Sequence, residues 1–128
     1  MSLDERRRNP IKEDIDMKTV KAREAEATPN PHGVHTCKIY DCDSAQVVYM
    51  VLQPGEKLKR HITPTDVFFY VLEGKVMVEV GDERYEAGQD ELVESPARIP
   101  HLLGNESEGI SRVLVVKAPR PTESTKIL

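Results

Sequence analysis

The chain has 128 residues, with 18 basic and 22 acidic side chains and a net charge of −4. This length predicts one domain, and the slightly acidic balance excludes non-specific nucleic-acid binding, which needs a basic face. No apolar run approaches the roughly 20 residues of a membrane-spanning helix, and the first residues lack a secretory signal. Two cysteines are too few for a disulfide scaffold. We therefore expect a soluble, cytoplasmic protein with no nucleic-acid or membrane partner.

Charged residues dominate the first 30 positions. This segment contains seven basic and seven acidic side chains and no aromatic residue, so it buries too little apolar surface to offset the entropy of ordering. We predict a flexible N-terminal arm over residues 1–30, free to dock on the body or on a second subunit. Pro29 and Pro31 mark its end, since neither can donate to a strand ladder. A barrel over residues 31–118 and a C-terminal tail over 119–128 complete the predicted organisation.

From residue 34 onward, short runs of β-branched and aromatic residues alternate with turn residues. The predicted strands cover residues 47–52, 67–72, 76–80, 84–87, 91–95 and 111–117. Glycine or proline follows each run closely, and Gly74, Gly81 and Gly88 fall seven residues apart, as in consecutive hairpins. Because no helical pattern separates these strands, they predict an all-β antiparallel sandwich or barrel. A small barrel of this kind can hold one ligand in its mouth.

Two histidines occur in patterns that match a known family. The run from Gly55, through His61 six residues later, to Gly74 resembles the first sequence motif of the cupins. The run over residues 96–105, which contains His101, resembles the second cupin motif. The strand between the two runs, with its aromatic residues and closing glycine, is also typical of the family.

The resemblance covers about residues 45–117 and implies a jelly-roll barrel, the double-stranded β-helix, with a metal or small-molecule site inside. It also implies a homodimer, which would cover exposed edge strands. Cupin metal sites generally take two histidines and a glutamate from the first motif and one histidine from the second. Here His61 and His101 match two of these positions. Thr63 replaces the other histidine and Val67 replaces the glutamate.

The resemblance therefore implies a divalent metal (Fe, Mn, Zn or Ni) held by His61 and His101 in a depleted ligand set. Asp66 would supply a carboxylate if the loop after Pro64 turned it inward, although neighbouring strand residues face opposite sides. In the alternative without metal, both histidines are barrel-interior side chains satisfied by hydrogen bonds or water.

A metal-free acid–base site is a further alternative, because histidine titrates near neutrality. His61, with Tyr70 or Asp66 as its partner, would abstract a proton next to a carbonyl. Thr63 and Arg98 would contact the substrate, with the guanidinium holding a carboxylate or phosphate. The plainer interpretation makes Tyr70 a core aromatic residue and Arg98 a rim charge.

The remaining histidines and the cysteines carry weaker signals. His32 and His35 follow two prolines and enclose Gly33, which predicts a loop or strand start that does not reach the pocket. Cys37 and Cys42 lie five residues apart, so on one regular strand they face opposite sides as small thiols.

Three functions fit these patterns, because this fold hosts unrelated chemistries. The first is a metal-dependent enzyme, an oxygenase, isomerase or lyase, acting on a small polar molecule. The second is a non-enzymatic module that binds a small metabolite. The third is a metal-free isomerase or epimerase-like enzyme that uses His61 and Tyr70 as catalytic residues.

Overall fold

The computed structural model describes residues 16–128, which form two antiparallel five-stranded sheets. A 3-10 turn, Ala22–Glu24, precedes the strands. The strands are β1 (His35–Cys42), β2 (Ala45–Leu52), β3 (His61–Ile62), β4 (Val67–Glu73), β5 (Val76–Val80), β6 (Glu83–Ala87), β7 (Leu92–Ser95), β8 (His101–Gly104), β9 (Ser111–Lys117) and β10 (Lys126–Ile127). One sheet has the order β1-β2-β9-β4-β7, and the other has the order β10-β3-β8-β5-β6. The predicted all-β jelly-roll fold is confirmed.

Alternating side chains of the central strands form the core between the two sheets. In β4, Val67, Phe69 and Val71 are buried, and the residues between them lie on the opposite face. Strand β9 alternates in the same way, with Val113 and Val115 buried. Strands β5 and β8 of the other sheet contribute to the same apolar cluster. Period-two alternation therefore places one face of each central strand inside the barrel.

The six strands predicted from this alternation correspond to β2, β4, β5, β6, β7 and β9. The prediction does not list β1, β3, β8 or β10. The pairing of β1 shifts register between Lys38 and Tyr40, β3 and β10 have two residues each, and all four residues of β8 are buried, so none shows a regular period of two. Strands β3 and β8 pair with each other, and the pairing sets His61 opposite His101. The short strands thus carry the two motif histidines and bring them together.

Gly74 makes the turn between β4 and β5, and the backbone there leaves no room for a side chain. Its φ of 79° lies in the left-handed region. A Cβ at this position would lie 2.6 Å from the carbonyl oxygen of Ile110 and 2.8 Å from Oγ of Ser111. The turn glycine predicted from sequence is therefore required both by conformation and by close packing.

The described part of the predicted arm, residues 16–30, packs on the body. Thr28 donates its N–H to the carbonyl of Thr36 at 2.7 Å, and its Oγ1 accepts from the N–H of Lys38 at 3.1 Å. Further back, a guanidinium nitrogen of Arg23 lies 3.8 Å from a carboxylate oxygen of Glu73. This half of the arm thus runs along the edge strand β1. The other half, residues 1–15, lies outside the described residues.

The C-terminal tail also joins the barrel. Its strand β10 pairs with β3, and the N–H of Leu128 donates to the carbonyl of Arg60 at 3.0 Å. Because β3 lies between β10 and β8, the tail covers the strand that carries His61. Within residues 16–128, no helix is long and apolar enough to span a membrane.

The two cysteines are free thiols at different depths. Cys37 is fully buried and Cys42 is half-buried. The pairing of β1 with β2 shifts register between Lys38 and Tyr40, so regular alternation does not run from one cysteine to the other. The five-residue spacing of the two cysteines therefore does not determine which faces of the sheet their side chains occupy.

Candidate functional site

A cavity of about 240 Å³ lies inside the barrel and includes both motif histidines in its wall. Its apolar wall comes from three strands of one sheet and a loop: Val48, Met50, Leu58, Phe69 and Val115. Its polar lining comes mainly from threonines, histidines and lysines: Thr28, Asn30, His32, Thr36, Lys38, Gln46, His61, Thr63, His101, Lys117 and Thr125. A mostly apolar wall with a few convergent polar groups is the usual composition of a small-molecule site.

His61 and His101 form a hydrogen-bonded pair in this wall. Their Nε2 atoms lie 3.0 Å apart, and their rings meet edge to face with centroids 4.5 Å apart. Both side chains are buried, at 7% and 2% exposure. Phe69 packs against the His101 ring at a centroid distance of 5.3 Å. The cross-strand pairing of β3 and β8 therefore presents two imidazoles as one unit, backed by an aromatic ring.

The second nitrogen of each ring fixes the protonation pattern of the pair. Nδ1 of His61 lies 2.6 Å from the carbonyl oxygen of Lys59, which only accepts, so this nitrogen carries the proton. Nε2 of His61 is then an acceptor, and we assign His101 as its Nε2–H donor. This leaves Nδ1 of His101 as an acceptor for the hydroxyl of Ser95, 2.6 Å away. A continuous chain of hydrogen bonds runs from Ser95 through both imidazoles to Lys59.

Thr63 occupies the position where the family pattern has a second histidine. Its side chain is 1% exposed and lines the cavity, with Oγ1 3.4 Å from Nε2 of His101. A hydroxyl at this distance can hydrogen-bond a ligand that contacts His101. The structure thus brings the predicted contact residue Thr63 to the two motif histidines.

A third imidazole, His32, joins the site, and the sequence patterns did not predict it. Its ring centroid lies 4.8 Å from that of His61. Nδ1 of His32 accepts from the N–H of Lys59 at 3.1 Å, while the carbonyl of the same residue accepts from His61. Asn30 holds the loop, since its Oδ1 accepts from the N–H of His32 at 3.0 Å. No motif links His32 to the barrel, because loop hydrogen bonds alone place it there.

Burial keeps these histidines neutral. It lowers the pKa of His101 from 6.5 to about 3 and that of His32 to about 4, and the charges of His61 and Lys117 add to both effects. Burial also lowers the pKa of His61, against the opposing effect of the hydrogen bond to Lys59. Near neutral pH, each ring therefore has one N–H donor and one acceptor nitrogen.

Two lysines contribute positive charge to the cavity. Lys117 continues the inward face of β9 after Val113 and Val115, and its pKa is lowered by burial and by the charge of Lys38. Lys38 lies on β1 and is also paired with Asp41 at 3.8 Å. Among the described residues, no aspartate or glutamate lines the cavity. The site is therefore positively charged.

The structure places three of the predicted site residues away from this cavity. Oδ1 of Asp66 accepts from the N–H of Ala97 at 2.8 Å, and the exposed side chain faces outward because neighbouring Val67 points into the core. The hydroxyl of Tyr70 donates to Asp90 at 3.0 Å on the outer face of β4.

The third of these residues, Arg98, lies in a separate surface groove. Its guanidinium is 3.6 Å from a carboxylate oxygen of Glu123, and it lines the groove with Ile62 and Lys126. The rim position therefore agrees with the plainer interpretation of Arg98. None of Asp66, Tyr70 and Arg98 is in the lining of the histidine cavity.

The donor set does not fit a metal ion held by protein ligands alone. Within residues 16–128, no group of three or more histidine, cysteine, aspartate or glutamate side chains is arranged to hold one. His32 uses Nδ1 for the Lys59 hydrogen bond, and Thr63 and Val67 replace two family ligands. The positive charge of Lys117 near the rings further disfavours a cation.

Known proteins with this architecture were found by sequence and by structure. A family model for the cupin domain matches residues 48–117. An uncharacterized protein from Methanocaldococcus jannaschii is 26% identical over 85 residues, which cover 66% of this chain and 73% of that protein.

Among solved structures, TT1209 from Thermus thermophilus superposes with a TM-score of 0.71 at 31% identity, covering 82% of this chain and all of that one. The polyketide cyclase RemF from Streptomyces resistomycificus superposes with a TM-score of 0.75 at 21% identity, covering 88% and 86%. The family match spans more than half of the chain and both motif histidines. This protein is a member of the cupin domain family.

Proposed function

We propose that this cupin binds a small polar organic molecule in the barrel cavity, in contact with the His61–His101 pair. The observation that carries the proposal is the pair itself, two neutral imidazoles hydrogen-bonded at 3.0 Å in the wall of a 240 Å³ cavity. Buried polar groups are costly unless they are hydrogen-bonded, and hydrogen bonds within the protein satisfy this pair. Here they open onto space that a ligand can fill.

Apolar and polar residues of the cavity would make different contacts with a ligand. Met50, Leu58 and Phe69 exclude water and contact the apolar part of a ligand. Thr63 and Nε2–H of His32 offer hydrogen bonds that fix its orientation, since the nitrogens of His61 and His101 already bond each other, Lys59 and Ser95. Because the chain from Ser95 to Lys59 holds both rings rigidly, the site is organised before a ligand arrives.

In this proposal, binding is the primary function, and the histidines are the residues available for any catalysis. Tyr70 and Asp66 are not placed to act as acid–base partners of His61, since both side chains lie outside the cavity. Proton transfer to or from a bound ligand would fall to His61 and His101, which are connected to Ser95.

A metal-dependent enzyme is the second candidate, and one distance favours it. The two Nε2 atoms converge to 3.0 Å at the cavity wall, and imidazole nitrogen is a common ligand of these metals. In this candidate, His61, His101 and oxygen atoms of a chelating ligand would hold Fe, Mn, Zn or Ni. The metal would act as a Lewis acid.

Thermal-shift measurements and metal analysis of the protein as purified test these candidates together. We expect thermal stabilisation by small polar compounds that persists in the presence of a chelator and is lost in His101→Asn. The matched control is His35→Asn, since His35 is exposed on β1. Stoichiometric metal that His101→Asn removes would favour the second candidate, and full stabilisation of His101→Asn would contradict both.

We also propose a cytoplasmic location and a homodimer. Free Cys37 and Cys42 support the first, because thiols persist in reducing compartments. Exposed edge strands support the second, since β6 and β7 each end a sheet.

A further inference from the structure

We propose that the ligand of the barrel cavity is a small organic carboxylate with an apolar body, and that Lys117 binds its acid group. This inference rests on the proposed function and names the chemical class that the site selects. It concerns a residue that belongs to neither histidine motif.

The position of Lys117 on β9 points its side chain into the barrel. Val113 and Val115 precede it on the inward face, and Lys117 lies opposite Gln46 on β2 and Val67 on β4. A lysine at the end of an apolar inward row is costly to bury and is usually compensated by an anion. A carboxylate supplied by a ligand would compensate its charge.

The surroundings of Lys117 offer no such anion among residues 16–128. The titratable groups that share the cavity are Lys38, His32, His61 and His101, all cationic or neutral. Lys38 is paired with Asp41 at 3.8 Å, so its charge is already partly neutralised. Lys117 is therefore the main positive charge for a ligand to meet.

The remaining lining favours a carboxylate over a phosphate. A phosphate group has a charge of about −1.5 to −2 near neutral pH, and no arginine lines the described cavity to balance the charge beyond that of one lysine. Met50, Leu58, Phe69 and Val115 supply apolar wall instead. An organic acid places its charge on Lys117 and its carbon skeleton against these side chains.

Titration calorimetry with matched acids and amides tests the assignment on the full chain. The probes are benzoate with benzamide, butyrate with butyramide, and 4-hydroxybenzoate with 4-hydroxybenzamide, together with inorganic phosphate. We expect at least one acid to bind ten-fold or more tightly than its amide, and phosphate to bind weakly. Added salt should weaken the acid more than the amide.

Variants locate the charge that is responsible. Lys117→Met keeps most of the side-chain length and should reduce acid affinity ten-fold or more while leaving the amide within two-fold. Lys75→Met is the matched control at an exposed lysine and should bind like the wild type. The acid–amide comparison in the wild type needs no variant, so it stands if Lys117→Met fails to fold.

The outcomes separate this inference from the proposed function. Equal or tighter binding of the amides would overturn the carboxylate assignment while supporting a small-molecule cavity. Phosphate binding tighter than every acid would also overturn it. Acid binding that Lys117→Met leaves unchanged would remove Lys117 from the site. Failure of every acid and every amide to bind at 10 mM, a ceiling of about 3 kcal/mol of affinity, would overturn both proposals.

Discussion

Oγ of Ser95 lies 2.6 Å from Nδ1 of His101, and this hydrogen bond joins the two sheets of the barrel. Ser95 ends β7 in one sheet, and His101 begins β8 in the other. Because the hydroxyl donates to Nδ1, the His101 proton stays on Nε2 and points at His61. Ser95 therefore completes the protonation pattern that the Lys59 carbonyl imposes on the pair.

Ser95→Ala is expected to leave Nδ1 of His101 without its donor and to destabilise the fold by about 1–3 kcal/mol, the cost of leaving a buried acceptor unpaired. Nitrogen-15 NMR of the imidazoles reports the tautomer, and urea unfolding reports the stability. Wild-type His101 should show a protonated Nε2. Ser124→Ala, at an exposed serine, serves as the control. A protonated Nδ1 in the wild type would contradict the assigned chain.

Acidification from pH 6.5 to 4.5 is expected to lower the free energy of unfolding. In the folded protein, burial holds the pKa of His101 at about 3 and that of His32 at about 4, against 6.5 ordinarily. The unfolded chain therefore takes up protons that the folded chain excludes. The stability present above pH 6.5 is lost as the pH falls toward these lowered values.

Urea unfolding at stepped pH checks this dependence. Paired carboxylates such as Glu73 and Glu91 have pKa values lowered from 4.5, so most of their contribution is lost below that pH. The interval from 6.5 to 4.5 thus reports mainly on the histidines. The pH slope should be smaller in His101→Asn than in His35→Asn, and a flat wild-type profile over this interval would refute the explanation.

Gly74→Ala is expected to destabilise the barrel strongly. The left-handed φ of 79° alone costs a non-glycine residue about 1–2 kcal/mol, and the new Cβ would meet the Ile110 carbonyl oxygen at 2.6 Å. Gly109→Ala is a matched control, because nothing lies within 4 Å of a Cβ there and its φ is not in the left-handed region. Thermal unfolding compares them, and equal effects would contradict the packing described for this turn.

The homodimer prediction has a direct check in solution. Light scattering after size-exclusion chromatography should give twice the 14.5 kDa mass of one chain. The physical reason is the presence of unpaired edges at β6 and β7 and the half-exposed Leu92 on β7. A mass of one chain across a hundred-fold range of concentration would contradict the homodimer prediction and show that the edge strands β6 and β7 remain unpaired in solution.

The sequence predicted the strands whose side chains alternate clearly. Strands β4 and β9 show buried valines and phenylalanine at every second position, which is the pattern of a sheet facing a core. Strand β3 has two residues and all four residues of β8 are buried, so neither shows this alternation, and the sequence marks these segments only by their motif histidines. Register and short pairings depend on long-range contacts, which a single sequence does not display.

The candidate site was predicted in part for the same reason. His61, His101 and Thr63 follow from motif spacing, whereas His32 is positioned by the backbone of Lys59 and the loop around Asn30. Lys117 did carry a signal, because it continues the inward alternation of Val113 and Val115. Assigning each polar residue of a predicted strand to the inward or outward face by its position would identify Lys117 as an inward-facing residue.

Imidazole NMR during ligand titration tests the central claim, that the His61–His101 wall binds a small organic molecule, most directly. Carbon-13 spectra resolve the four histidines of the chain, with exposed His35 as an internal control. Titration with 4-hydroxybenzoate should shift His32, His61 and His101 saturably and leave His35 unchanged. Saturable binding that leaves all three cavity histidines unshifted would contradict the account.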